Sequence, residues 1–314
     1  MENKFSNRTE LVNSSETREI LKVTERPEVI SFAGGLPAPE LFPVEALKDA
    51  CNAVLNEQGA ASLQYSTTEG YIPLRQAICQ RMGTLGIHPK IENILITSGS
   101  QQAIDLTGRL FINEGDTIIC ESPTYLAAIN AFKLYNPKFV EVAMDDDGMI
   151  MEELEKKLQE NSNTKFIYTI PDFQNPTGRT LKLERRKRMI ELANQYDVLI
   201  IEDNPYGAIR FAGEELPPVK FFDTENRVIY LSTFSKILHQ VFDLGGFVLM
   251  NLSLKNTLLL SKLPTYILIA LLKELQLSIW SYTISKNTSI KLKLFIKKDA
   301  QLCYLVSKNI SQKV

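Results

Sequence analysis

Residues 198–206 read Val-Leu-Ile-Ile-Glu-Asp-Asn-Pro-Tyr, and this stretch decides the fold. Four apolar residues in a row lack the in–out alternation of a half-buried strand, so they fit a strand covered on both faces. Two acids follow at once. A carboxylate at the end of a buried strand is costly unless something pairs with it. Open α/β sheets bind ligands beyond the carboxyl ends of their strands. Asp203 is therefore a candidate ligand partner, and Tyr206, three residues on, can reach the same ligand. Capping of the next turn is the structural alternative for the acid.

The same texture recurs on both sides of this stretch. Pro43 to Gln58 carries apolar residues at helical spacing (Leu47, Ala50, Val54), and Ile72 to Met82 is a second helix. Asn93 to Thr97 is predicted as strand, Ser100 to Phe111 as helix, Asp116 to Cys120 as strand, Tyr125 to Leu134 as helix and Phe139 to Val142 as strand. Met151 to Leu158 and Leu183 to Tyr196 are helices flanking the strand Lys165 to Ile170, and Val228 to Ser232 is a further strand. Strands alternating with helices of about 10–15 residues predict an α/β fold, a doubly wound and mostly parallel sheet of about seven strands.

Composition narrows the function classes. The 314 residues suffice for one large α/β domain or two smaller ones. A net charge of −2 gives no global field that would favour nucleic acid or an anionic membrane. Cys51, Cys79, Cys120 and Cys303 are too scattered for a disulfide framework or a zinc site, so a reduced, cytoplasmic setting is expected, with no metal. The first 18 residues are polar, without a signal-peptide core, and the apolar run Leu263 to Leu272 is too short to span a bilayer. No membrane attachment is expected.

Four other strand ends carry unusual residues. Thr97-Ser98-Gly99-Ser100-Gln101-Gln102 opens a helix with small residues, where exposed N–H groups and the helix dipole suit a phosphate. A plain Ser cap and Gly turn also fits. Glu121-Ser122-Pro123-Thr124-Tyr125 puts an aromatic at a helix start, able to stack on a flat ring or to pack in the core. Pro171 to Gly178 holds Asn175 before Pro176, an amide fixed for a ligand oxygen or an ordinary turn. Ser232-Thr233-Phe234-Ser235-Lys236 sets a lysine just past a strand among hydroxyls, which suits a Schiff-base amine. A surface lysine is the alternative. Each segment is weak alone; order, spacing and strand-end placement agree across all of them.

Together these segments resemble the class I/II aminotransferases of pyridoxal-phosphate (PLP) fold-type I, nearest the α-aminoadipate/kynurenine branch. Phe-Ala-Gly-Gly-Leu-Pro (32–37), Leu-Gln-Tyr-Ser-Thr-Thr-Glu-Gly-Tyr (63–71), Asn-Pro-Thr-Gly (175–178), Ile-Glu-Asp-Asn-Pro-Tyr (201–206) and Ser-Thr-Phe-Ser-Lys (232–236) carry the resemblance with residues 97–102. It implies PLP as cofactor, amino acid and 2-oxo acid as substrates, and a homodimer. Lys236 is implied as Schiff-base lysine and proton shuttle, and Asp203 as partner of the pyridinium nitrogen. Asn175 and Tyr206 are implied on the ring oxygen O3′, Tyr125 stacked on the ring, and Ser100, Gln101 and Thr233 on the phosphate. Tyr65 is implied to reach the neighbouring subunit's cofactor, and Gly35 and Asn175 to lie against substrate. The domains expected are an N-terminal segment (1–40), a PLP-binding large domain (41–238) and an aberrant tail (239–314) in place of the rest of the large domain and the small domain.

The tail departs from the family. Ser-Lys is normally followed by Ala-Pro-Gly-x-Arg-x-Gly, whose Arg binds the phosphate; here Asp243 takes its position. Losing a bidentate charged pair and gaining a like charge lowers cofactor affinity by about two decades or more. Residues 239–314 hold 10 Lys, no Arg and three acids, whereas residues 1–238 hold 25 Lys+Arg and 34 Asp+Glu. The small domain's carboxylate-gripping Arg has no counterpart. A shifted reading frame is the cause we expect. A chosen set of codons, gca cca ggt ttt cga ctt ggg tgg, would encode the family-like Ala-Pro-Gly-Phe-Arg-Leu-Gly-Trp, and read one base later, with t following, would give residues 239–246. The codons act gcc aac tta cat act cat agc, a family-like Thr-Ala-Asn-Leu-His-Thr-His-Ser, shifted alike give residues 263–270. The expectation is thus a transaminase of impaired activity. Its rivals are a non-catalytic relic, another PLP reaction such as elimination or decarboxylation, and a transcription regulator's PLP-type domain, for which too few residues precede position 28.

Overall fold

The computed structural model describes residues 4–11, 28–29, 40, 42–64, 67–237 and 246–249. Its strands are β1 (Ile94–Thr97), β2 (Thr117–Ser122), β3 (Lys138–Asp145), β4 (Gly148–Met149), β5 (Thr164–Thr169), β6 (Leu199–Asp203), β7 (Val228–Ser232) and β8 (Gly246–Leu249). They form one sheet in the order β1-β8-β7-β6-β5-β2-β3-β4. From β3 through β2, β5 and β6 to β7 every pairing is parallel. β8 lies antiparallel between β7 and β1, and β4 is antiparallel to β3. Two antiparallel steps return β1 to the direction of β7, so the carboxyl ends of β1, β2, β5, β6 and β7 share one edge.

Among the described residues, six helices cover the sheet: α1 (Val44–Ser62), α2 (Ile72–Thr84), α3 (Gly99–Phe111), α4 (Leu126–Lys133), α5 (Met151–Glu160) and α6 (Leu183–Gln195). The strands are almost wholly buried yet sort their side chains by parity. Ile118, Phe166, Tyr168, Ile201, Ile229 and Leu231 face α3 and α4 in one cluster, with Ala103, Ile104, Ala128 and Phe132. Ile119, Ile167, Ile200 and Val228 face α5 and α6 with Leu154, Leu158, Met189 and Leu192. Tyr230 closes a third cluster with α1 and α2, through Val54, Leu74 and Ile78. Helices on both faces are the reason the strands read as unbroken apolar runs. The doubly wound, mostly parallel α/β arrangement predicted above is the one found.

Beyond shifts of one or two residues at element ends, the structure departs from these spans in three places. α1 runs on to Ser62 across a non-helical Gln58 (φ −134°, ψ 20°), because the poor helix former Gly59 interrupts the helix without ending it. β3 is longer than its apolar stretch because it is partly exposed, and its polar residues Lys138 and Glu141 belong to the strand. It turns back into β4 through Gly148 at φ 95°, where an added Cβ would meet the Leu181 Cα at 2.9 Å. Third, Gly246–Leu249, in the stretch assigned to the tail, supplies a strand whose backbone bonds β1 on one side and β7 on the other.

Candidate active site

Because β1, β2, β5, β6 and β7 end at one edge, five junctions distant in sequence meet there. β6 ends in two acids that alternation sends to opposite faces. Glu202 accepts the backbone N–H groups of Val219 (2.9 Å) and Lys220 (2.8 Å). Asp203 turns to the α3–α4 face, where the Tyr168 hydroxyl donates to its Oδ2 at 2.8 Å. Oδ1 of Asp203 is fully buried and has no hydrogen-bond partner among the described residues. Burial pushes the Asp203 carboxyl up to about 6, against the pull of the Tyr168 hydrogen bond. An oxygen left in this condition is rare in a settled core and fits a site built for a further N–H donor.

Asn175 follows β5 in the loop Pro171 to Gly178, and its peptide bond to Pro176 is cis. Its Nδ2 donates to the Tyr206 hydroxyl at 3.3 Å, which leaves the phenol proton for another acceptor. Burial raises the Tyr206 pKa; the Asn175 bond lowers it and the Asp203 charge raises it further. Tyr125 stands at the N-cap of α4 and packs with Tyr206 on the cluster that contains Tyr168. Lys236 is partly buried in the turn leaving β7, closed by the Ile237 N–H on the Phe234 carbonyl at 3.0 Å. Leu231 of β7 is registered with Asp203, and the Asn204 N–H bonds its carbonyl at 2.9 Å. The lysine turn and the carboxylate thus leave adjacent strands at the same edge.

At the start of α3, Gly99 sits at φ 67°, in the left-handed region that a side chain resists. The Ser98 N–H is taken by Gln102 Oε1 at 2.6 Å, and Gln101 Nε2 reaches across to the Ala127 carbonyl at 3.0 Å, tying α3 to α4. Ser100 lies in the first turn, partly buried. Thr233 is buried, with its hydroxyl 2.8 Å from that of Ser235. Tyr65, Gly35 and Asp243 lie outside the described residues.

Residues beyond those expected from the sequence scaffold this edge. Glu121, at the end of β2, accepts Thr169 Oγ1 at 2.6 Å, Gln174 Nε2 at 3.0 Å and the Ile170 N–H at 3.3 Å. Burial pushes its carboxyl up to about 7. Gln174 in turn accepts from Thr177 and donates to the Pro123 carbonyl, so one acid ties the Tyr125 loop to the Asn175 loop. Asp172 is a second hub, accepting from Arg186, Arg210 and Asn204. The signal for Glu121 was available: it is an acid closing a buried strand, as Asp203 is. The signal for Tyr168 was a hydroxyl inside a doubly covered strand, which must find a partner.

A doubly wound sheet that gathers a lysine turn, a buried acid with an open oxygen and a helix start at one edge has the fold of the PLP-transferase α/β proteins. Residues 28–288 match the family described as aminotransferase class I and II, and the chain belongs to it. Class I and II aminotransferases use PLP. Aromatic-amino-acid aminotransferase 1 of Thermococcus litoralis is 53% identical over 247 residues, 77% of this chain and 59% of that protein. The crystal structure of a multiple substrate aminotransferase from Thermococcus profundus superposes with a TM-score of 0.89 at 42% identity, covering 98% of this chain and 78% of that one. That of LysN, an α-aminoadipate aminotransferase from Thermus thermophilus complexed with N-(5′-phosphopyridoxyl)-L-leucine, gives 0.87 at 34% identity, over 96% and 75%. The chain spans 56–61% of the length of the curated relatives it matches first.

Proposed function

We propose that this chain binds PLP at the carboxyl edge of its sheet and belongs to an enzyme that moves an amino group from an amino acid to a 2-oxo acid. The observation that carries the reading is Asp203: a buried carboxylate with one oxygen bonded by Tyr168 and the other open, one strand from the Lys236 turn. When bound, PLP supplies a ring that takes up the electron pair left as a substrate Cα loses its proton. Asp203 accepts the ring N–H and so balances its positive charge. The Tyr206 hydroxyl, held by Asn175, donates to the ring oxygen. Tyr125 covers the ring face, and Ser100, Gln101 and Thr233 bear on the phosphate end. Lys236 Nζ would hold the cofactor and would carry a proton to and from the substrate Cα. Gly35 and Asn175 border the substrate.

The names of the relatives set the donors to try first: aromatic amino acids and α-aminoadipate. A homodimer, with Tyr65 reaching the neighbouring cofactor, and a cytoplasmic setting belong to the same proposal; the described cysteines Cys51, Cys79 and Cys120 are all free thiols, in keeping with a reducing compartment. Asp243 in place of the family's phosphate-binding Arg favours a second reading, a chain that binds PLP weakly and does not turn over. We propose a shifted reading frame from about residue 239 as its origin, which sequencing the gene tests.

The test of function is a near-ultraviolet and visible scan of the purified chain with PLP. A band that borohydride abolishes while leaving Lys236 modified supports cofactor binding, and no band in excess PLP refutes it. Adding each amino donor in turn then separates transfer, seen as loss of the band with release of a 2-oxo acid, from binding without turnover.

A further inference from the structure

Tyr168 has no part in the assignments above, yet it touches the acid on which they depend. It lies on β5 opposite Ile201 of β6, so its side chain shares a face with Asp203, two residues on. It is fully buried, with Phe132 edge-on at 5.7 Å and 77° fixing the ring. Its hydroxyl reaches Asp203 Oδ2 at 2.8 Å. Burial, then the Asp203 charge, holds the phenol pKa well above its ordinary value, so the group stays protonated and acts on the acid as a donor.

A carboxylate has two oxygens and can turn about its terminal torsion. A donor on Oδ2 stops that turn. It leaves Oδ1 as the single buried acceptor without a partner at this acid, among the described residues. The chemistry that completes such a half-satisfied carboxylate is a cationic ring N–H, since the resulting charged hydrogen bond offsets the cost of burial. A ring carrying C–H at that place leaves the oxygen unpaired.

We infer that Tyr168 is a positioning residue that locks Asp203 so that its free oxygen selects a ligand ring with a protonated nitrogen over the same ring lacking it. The inference rests on the functional reading above and deepens it. The test measures the affinity of the full chain for PLP and for its carbocyclic analogue, in which ring nitrogen is replaced by C–H, by absorbance titration. The wild-type chain is expected to prefer PLP by about tenfold or more, as for one charged hydrogen bond. Tyr168→Phe, which keeps the ring and its packing, is expected to cut that preference severalfold while changing affinity for the analogue little. In an Asp203→Asn background the same substitution is expected to leave the ratio unchanged. If Tyr168→Phe does not fold, Tyr168→Gln and Tyr168→Leu replace it: the donor-bearing Gln keeps more of the preference than Leu. A wild-type chain that binds neither ligand overturns the functional reading and this inference with it. Wild-type binding whose preference survives in Tyr168→Phe, or equal losses for both ligands, overturns the inference alone.

Discussion

Glu121 and Gln174, fifty-three residues apart in the chain, meet through a 3.0 Å hydrogen bond between Oε2 and Nε2 inside the sheet's carboxyl edge. The same carboxyl also accepts Thr169 Oγ1 and the Ile170 N–H. Removing it strands several buried donors at once, each costing about 1–3 kcal/mol. Glu121→Ala is therefore expected to lower unfolding stability by about 3 kcal/mol in a urea titration and to weaken PLP binding, since both loops it ties carry residues proposed to contact the cofactor. Glu121→Gln, which keeps an acceptor, is expected to cost less. An alanine variant as stable as wild type would remove Glu121 from this role.

Buried acids also set the pH dependence of stability. Burial pushes Glu121 and Glu202 up to about 7 and Asp203 up to about 6. In the unfolded chain such groups titrate near about 4. Between these limits the folded chain holds protons that the unfolded chain has lost. The stabilising contribution is thus complete below about pH 4 and is lost as pH rises through about 7. Thermal midpoints of the cofactor-free protein are expected to fall between pH 5 and pH 8, less steeply in Glu202→Gln. A midpoint that climbs over that range contradicts the assignment.

Arg186 is fully buried and makes two contacts to Asp172, at 2.9 and 3.3 Å, with further bonds to the carbonyls of Pro171, Leu181 and Pro217. Its loss leaves the Asp172 carboxylate buried with only Arg210 and Asn204 as partners. Breaking one side of a buried ion pair costs about 3–5 kcal/mol. Arg186→Leu is expected to fall in that range by chemical unfolding. A change below about 1 kcal/mol would show that Arg210 alone satisfies the acid.

The Tyr206 hydroxyl oxygen accepts a hydrogen bond from Asn175 Nδ2 and so has its own proton to donate. Tyr206→Phe removes that donor while keeping most of the ring's packing on the core. PLP affinity is expected to drop about tenfold, the size of one hydrogen bond to a charged ligand, with the thermal midpoint of the cofactor-free protein shifted little. Unchanged affinity would take Tyr206 out of the cofactor shell.

Much of this was legible in the chain because it depends on local patterns. Apolar runs such as Val198 to Ile201 register burial on both faces, and helical spacing in Leu183 to Tyr196 registers one covered side. Turn residues around Asn175 and Gly99 register backbone that other residues resist. Asp203 could be picked out because a charge ending a buried strand needs a reason. Glu121 carried the same mark but stood beside Tyr125, whose aromatic ring drew the functional reading, and Tyr168 was hidden by counting as one more large residue in a core strand.

Sequence alone therefore determined the alternation of elements, the doubly covered sheet and the strand-end residues at which to look, since each is written in periodicity and in the cost of burying charge. Only the tertiary structure decided which of those residues meet. Strand order carried Glu121 to Gln174 and Tyr168 to Asp203, and parity sent Glu202 to the face opposite Asp203. The physical reason is that a hydrogen bond between strands depends on register and face, and a change of one residue in either reverses which side chains can touch.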